Sequence, residues 1–359
     1  MSMLPDITFE RVPRSRREDV DFDNLGFGNV FSDHMFSMEW EDGAWRHPRI
    51  IPYGPIAMEP CNATLHYGQS VFEGMKAFRG ADGRVRIFRP DMNARRLEAS
   101  CDRLCVPRLD PEMFVAAAER LVTVDQAWIP ARRGESLYIR PIIFSNESHL
   151  EVRPSRTFRL LVMTSPVRSY FDESMPAVTL KVEDTYTRAA PGGTGAAKTA
   201  GNYAGSLYPA ELARREGYMQ VLWLDGVEHR YVEEVGAMNI FFRIDGRVVT
   251  PELRGSILPG ITRDAVITLL RENGHDVVER RITIDEVVDA SRKGMLEEAF
   301  GAGTAAVISP VGTMAYKGEE IRVNANASGP VTQWLYDRIT GIQLGEHDDP
   351  HGWCRVLPV

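Results

Sequence analysis

Strand-like and helix-like runs succeed one another along this chain without a repeating βαβ rhythm, and that irregularity restricts the fold more than any other feature. Strand patterns stand at 84–88, 137–144 and 158–164. Between them lie two helical patterns, 90–105 with Pro90 in its opening turn and 110–124 with Asp110 as N-cap. The second helix repeats apolar residues at Phe114, Ala117, Ala118, Leu121 and Val122, as one buried face requires. The later half predicts strands at 177–182, 219–224, 238–243, 276–280 and 304–309, and helices at 206–216, 261–273 and 285–291. Mixed elements of this kind predict an α+β fold rather than a doubly wound sheet. At 359 residues the chain exceeds what one hydrophobic core usually serves, so two domains are expected. The stretch 165–176, of mixed polarity with Pro166 and Pro176 at its ends, reads as the connection. Residues 1–50 read as irregular, with Phe22, Phe27, Phe31 and Phe36 as packing aromatics.

With 43% apolar and 26% charged residues the composition is that of an ordinary globular protein. A net charge of −8 favours no basic face, which argues against a nucleic-acid or membrane-surface partner. Cys61, Cys101, Cys105 and Cys354 form neither a CxxC pair nor a metal-ligand spacing, and they read as buried free thiols in a reducing compartment. No apolar run is long enough to span a bilayer. The first twenty residues, interrupted by Asp6, Glu10, Glu18 and Asp19, fit neither a signal nor a transit peptide, so a cytoplasmic location is expected.

The segment Gly192-Gly193-Thr194-Gly195-Ala196-Ala197-Lys198-Thr199-Ala200-Gly201-Asn202-Tyr203 sets one lysine among small residues. Three readings are open. Lysine can serve as a point charge in a phosphate cradle, or as an amine nucleophile with a depressed pKa, or it can be incidental to a surface loop. A P-loop pattern fits Gly192 to Thr199 except that Ala197 replaces the second glycine. Polar residues 183–188 also stand where a buried strand should lead in.

Other segments supply complementary chemistry. Pro259-Gly260 opens a helix with Ile261, Ala265, Ile267, Leu269 and Leu270 apolar, and the N–H groups of such a helix start attract an anion. A second small-residue turn at 301–306 adds the Thr304 hydroxyl. Glu233 and Glu234 lead through Gly236-Ala237 into a strand, although solvated charge is the usual fate of a Glu pair. An amine, an anion cup and a carboxylate are together what pyridoxal phosphate requires.

With these segments, the chain resembles the branched-chain amino-acid aminotransferases of the fold-type IV pyridoxal-phosphate enzymes. The resemblance rests on Val71-Phe72-Glu73-Gly74-Met75-Lys76-Ala77-Phe78-Arg79-Gly80, Leu137-Tyr138-Ile139-Arg140-Pro141, the Lys198 to Tyr203 stretch, Glu234-Val235-Gly236-Ala237-Met238-Asn239 and Ile257-Leu258-Pro259-Gly260, and runs from about residue 22 to the C-terminus. It implies a smaller N-terminal α/β sandwich domain (1–168), an interdomain loop (169–178) and a larger pseudo-barrel domain (179–359) that binds pyridoxal 5'-phosphate. By the same resemblance, Lys198 bonds the cofactor aldehyde and later moves the proton, Glu234 pairs with the ring nitrogen, and Tyr203 bonds the phenolic oxygen. Arg96, Gly260, Ile261, Thr262 and Thr304 hold the phosphate, and Leu258 packs on the ring face.

The resemblance further implies a substrate pocket of Phe27, Phe72, Tyr138 and Val178, with Tyr67 and Val152 reaching across from a second copy in a homodimer. Arg140 receives the γ-carboxylate of glutamate or orients the phenols that do, and Ala237 and Ala305 bind the α-carboxylate. The substrates would be branched-chain amino acids and 2-oxo acids, with no metal. Two positions depart from the family. Ala237 stands where close relatives carry threonine, and the redox CxxC of the mammalian enzymes falls on Ala306 and Ser309. The alternatives are another fold-type IV enzyme, such as a D-amino-acid aminotransferase, an amine transaminase or a deoxychorismate-type lyase, and a non-catalytic nucleotide-binding module.

Overall fold

The computed structural model describes residues 6–168 and 176–358, and it divides the chain into two compact units. One unit holds the chain through residue 168 with Ala197–Ala200 and the stretch from Gly341 onward, and the other holds residues 176–196 and Gly201–Thr340. Residues 169–175 of the predicted interdomain connection lie outside the described residues.

In the first unit the sheet runs, in spatial order, Thr8–Phe9, Ala44–Pro52, His34–Glu41, Phe158–Val167, Ser136–Ser145, Met75–Arg79, Val85–Phe88 and Cys354–Val356, with Ser70–Phe72 also paired to Ser136–Ser145. The Pro90–Arg103 and Pro111–Val124 helices contribute Leu97, Cys101, Phe114 and Leu121 to a core shared with the sheet residues Phe36, Ile87 and Leu160. The Asp110 side chain accepts from the N–H groups of Glu112 and Met113, the capping its sequence position predicted.

Residues 34–52, expected to be irregular through residue 50, form a hairpin. Its turn, Asp42-Gly43, has φ of 50° and 75°, the left-handed pair that a two-residue hairpin loop demands. The alternation is obscured because His34–Glu41 lies between two strands and buries its first five residues without a break.

In the second unit six strands close on themselves: Val232–Val235, Gln220–Leu224, Val178–Glu183, Val307–Tyr316, Leu296–Gly303 and Met238–Ile244, the last pairing back to the first. Leu180, Leu222, Ile240, Phe242 and Met314 belong to its core. The closed sheet and the sandwich together are the two-domain α+β architecture that the sequence predicts. The strand expected at 304–309 is displaced, for residues 304–306 are the turn between two strands. The first of these was missed because Leu296–Gly303 carries Glu297, Glu298 and two glycines. Glu298 is buried, accepting from the N–H groups of Val331 and Thr332 at 3.1 and 2.8 Å.

Candidate functional site

The chemistry-bearing residues fall into one group in each unit. In the first, the segment containing Lys198 is added to a strand edge by its backbone. The Lys198 carbonyl accepts from Phe72 N–H at 3.0 Å, its own N–H donates to Ser100 Oγ at 2.9 Å, and Thr199 forms an antiparallel bridge with Val71. Its ammonium stands 4.9 Å from the centre of the Phe72 ring, and the Arg140 guanidinium lies 4.9 Å from the same ring. Arg140 also donates to the Tyr138 hydroxyl at 2.9 Å, and Phe27 meets Tyr138 edge-on at 5.1 Å. The structure therefore brings Phe27, Phe72, Tyr138, Arg140 and Lys198 together.

Arg96 projects from the buried face of the Pro90–Arg103 helix onto Glu73. This is a bidentate pair, with Nε and Nη2 donating at 2.8 and 2.7 Å to a carboxylate that is 0% exposed and that also accepts from Asn93 at 2.7 Å. Such a fork fixes the guanidinium plane as well as its position. Nearby on the sheet, burial lowers the Lys76 amine from 10.5 to about 8. Tyr67 and Val152 are exposed, Val152 by 82%, and the Tyr67 hydroxyl donates to the Leu150 carbonyl.

In the second unit the central feature is another buried ion pair. Glu234, 3% exposed, receives Arg188 Nη2 at 2.6 Å. The same guanidinium reaches the carbonyls of Ser256 and Gly195, while its buried Nε has no hydrogen-bond partner. Asn239 is the second support, donating to Leu258 O at 3.0 Å and to Glu234 Oε1 at 3.4 Å. Beside the ion pair is a cavity of about 150 Å³ lined in part by Arg188, Tyr203, Glu234, Ala237 and Leu258. Tyr203 is carried by the short Ala200–Ala204 helix, whose Asn202 is tied to Thr194 by two hydrogen bonds.

Gly260 is the N-cap of the Ile261–Glu272 helix and contributes no side-chain cap, so the first turn there, with Ile261 and Thr262, suits an anion. Thr304 and Ala305 lie in the turn beyond Leu296–Gly303, and the pairing of Ala302 with Asn239 sets that turn beside the start of the Met238–Ile244 strand. Val178 is buried in the core of this unit.

A family model, "Amino-transferase class IV", matches residues 70–313. Branched-chain-amino-acid aminotransferase 2 of Bacillus subtilis is 51% identical over 340 residues, 94% of each chain. A probable branched-chain-amino-acid aminotransferase of Staphylococcus epidermidis is 49% identical over 99% of both. The chain belongs to the branched-chain amino-acid aminotransferases. Solved structures of the family agree in fold. The Escherichia coli enzyme superposes with a TM-score of 0.75 at 29% identity, covering 89% of this chain and 99% of its own. That of Thermobaculum terrenum in its PLP form gives 0.76 at 25% identity, covering 90% and 98%.

As a member of this family the chain is a transaminase, which removes the nucleotide-binding alternative. Sequence reasoning missed Glu73, Ser100, Arg188 and Asn239, whose importance lies in pairing across distant segments. It also set Glu233 among solvated charges. Glu233 is in fact 7% exposed and accepts from the Ser256 hydroxyl, and burial is the largest influence on its carboxyl, raising its pKa. Strand alternation alone cannot reveal this, because both faces of Val232–Val235 are covered. Of the cysteines expected to be buried, Cys105 is exposed, whereas the buried Cys101 thiol is pushed up to about 12 and kept inert.

Proposed function

We propose that this chain moves an amino group reversibly between L-leucine, L-isoleucine or L-valine and 2-oxoglutarate, with pyridoxal 5'-phosphate as carrier in a ping-pong cycle. The observation that carries this reading is the cavity of the second unit. It offers a phenol from Tyr203, a buried carboxylate from Glu234 and an apolar wall from Leu258, the donor set that a pyridine ring with a phenolic oxygen needs. Bound there, the cofactor supplies an aldehyde for an amine and a protonated ring that draws electrons from the substrate α-carbon.

The residues act on it in distinct ways. Glu234 would accept the ring N–H, and Arg188, 2.6 Å away, aims that carboxylate. Tyr203, which lines the same cavity, would donate to the phenolic oxygen. Arg96, with its plane fixed by Glu73, would hold phosphate oxygens, and the N–H groups of Ile261 and Thr262 and the Thr304 hydroxyl would be further donors to that group. Lys198 Nζ would be the amine that holds the carrier, and when released from it would take the proton that leaves the substrate α-carbon.

The aliphatic side chain of the substrate would rest against Phe27, Phe72 and Tyr138, completed by Tyr67 and Val152 of a second copy, whereas Val178 is enclosed in the core of the second unit. The exposure of Tyr67, Leu150 and Val152 supports a homodimer. Arg140 lies between the Phe72 and Tyr138 rings with a buried Nε that has no hydrogen-bond partner, which suits it to a γ-carboxylate. Backbone N–H groups at Ala237 and Ala305 take the α-carboxylate. The free thiols of Cys61, Cys101, Cys105 and Cys354 support a cytoplasmic location.

The test is spectroscopic. The holoenzyme should show a visible band that borohydride removes and that leucine bleaches, and Lys198→Ala should lack it. A band unchanged in Lys198→Ala, or bleaching by D-alanine and not by leucine, would overturn the reading. An active monomer by light scattering would refute the shared pocket.

A further inference from the structure

We propose that Ser100 is a positioning residue for the reactive amine, and that the Pro90–Arg103 helix serves as a ruler between the phosphate anchor and that amine; this rests on the reading of Lys198 and Arg96 given above. Arg96 and Ser100 are four residues apart and so lie one above the other on one helix face, about 6 Å apart along the axis. Both are buried, Ser100 to 1% exposure. Arg96 is locked by the Glu73 fork, and Ser100 Oγ accepts the backbone N–H of Lys198 at 2.9 Å.

The opposite side of the Lys198 backbone is held too, its carbonyl accepting from Phe72 N–H at 3.0 Å. The Lys198 Cα is thereby pinned from both sides, and the amine moves only by its own side-chain torsions, with the Phe72 ring 4.9 Å away as a wall. An amine that must reach a carbon and then return to collect a proton gains from such an arrangement, because small misplacements of a reacting atom carry large rate penalties. A hydroxyl on a rigid helix sets the starting point of that swing. Asn93, three residues before Arg96, donates to Glu73 and to the Gly74 carbonyl, so the same face also fixes the strand edge that carries Phe72.

The experiment uses the holoenzyme and the variants Ser100→Ala, Ser100→Thr and Arg96→Gln. The rates at which leucine bleaches the visible band and 2-oxoglutarate restores it are followed by stopped flow over a range of concentrations. Cofactor retained after ultrafiltration, the lysine adduct trapped by borohydride and the melting temperature are measured alongside. Ser100→Ala should lower both limiting rates by roughly 10- to 100-fold. The leucine concentration for half-saturation and the retained cofactor should stay near wild type. Ser100→Thr keeps the acceptor and should recover most of the rate, while Arg96→Gln should lose cofactor.

Wild-type limiting rates in Ser100→Ala would overturn the proposal, as would rate, retention and melting temperature falling together, the mark of a merely structural serine. If Ser100→Thr does not fold, Ser100→Cys, which keeps the size but accepts weakly, should fall between wild type and alanine, and a wild-type rate there would likewise overturn it. Failure of the underlying reading has a different signature, a borohydride-trapped adduct on a residue other than Lys198.

Discussion

Each unit buries one arginine–glutamate pair at the candidate site, and the two pairs are built with their roles exchanged. In Arg96–Glu73 the carboxylate is the fully enclosed partner, 0% exposed and surrounded by donors from Arg96, Asn93 and the Gly74 backbone. In Arg188–Glu234 it is the arginine that is anchored, to the carbonyls of Ser256 and Gly195, and both members line the cavity with Tyr203 and Leu258. Under the function proposed above, Arg96 is the member that meets an anion and Glu234 the member that meets a cation, which suits the exchange. A buried pair adds little net stability compared with apolar packing, but removing one member leaves an uncompensated charge. The two pairs therefore make opposite predictions about which ion can replace the missing partner.

The largest effect is expected from Arg188→Leu. Glu234 then loses its guanidinium, and the cofactor-free protein should lose roughly 3–5 kcal/mol in denaturant unfolding. Saturating cofactor should return part of that, because a protonated ring nitrogen supplies the missing positive group. Cofactor giving this variant no more stabilisation than it gives wild type would break the assignment of Glu234. Glu73→Gln comes next. It keeps one acceptor for Arg96 and removes the charge, at about 1.5–3 kcal/mol. Inorganic phosphate should raise the melting temperature of Glu73→Gln more than that of wild type, and should do nothing particular for Arg188→Leu. An equal response from both variants would show that the roles are not exchanged.

What the sequence disclosed follows the same division. Lys198, Glu234 and Arg96 were legible through motifs, since each is the residue proposed to face the ligand and sits in a distinctive local string. The roles of Glu73, Arg188 and Asn239 were not, although Glu73 and Asn239 stand inside strings that carry the resemblance, because their value comes from partners 23, 46 and 19 residues away (Arg96, Glu234 and Leu258), a distance no local pattern reports. The long helices and the α+β class were readable from periodicity. The 34–52 hairpin was not, although Asp42-Gly43 is a strong turn signal, because a strand flanked on both edges and buried at its start loses the alternation on which a strand reading depends. The Leu296–Gly303 strand was hidden for the opposite reason, since two acids and two glycines made it look like a loop.

A smaller effect probes the link between the second pair and the helix start at Gly260. A Cβ added at Gly260 would stand 1.9 Å from Asn239 Oδ1, so Gly260→Ala must displace the amide that supports Glu234 and the Leu258 carbonyl. The expected loss is about 1–3 kcal/mol. Ring and phosphate contacts should weaken together, read as faster cofactor loss on dilution and a changed visible band. A variant that releases cofactor faster with an unaltered band would mean that Asn239 does not couple the two ends.

The smallest effect separates the neighbouring acids. Glu233 also feels Arg188, but burial outweighs the lowering by the Ser256 hydroxyl and by that guanidinium, so its pKa lies above the usual 4.5. A raised carboxyl pKa means that the native protein still holds a proton which the unfolded chain has released. Its contribution is complete below pH 4.5 and is lost as pH rises through the native value. Glu233→Gln removes this titration and keeps the acceptor for Ser256, while setting an amide where Glu233 Oε2 is buried without a partner, at a cost independent of pH. The variant should therefore gain stability relative to wild type as pH is raised from 4 to 8, whatever the constant offset, as measured by urea unfolding at each pH. A constant difference across that range would mean that Glu233 titrates normally and that Arg188 serves both acids alike, which would remove the asymmetry between Glu233 and Glu234.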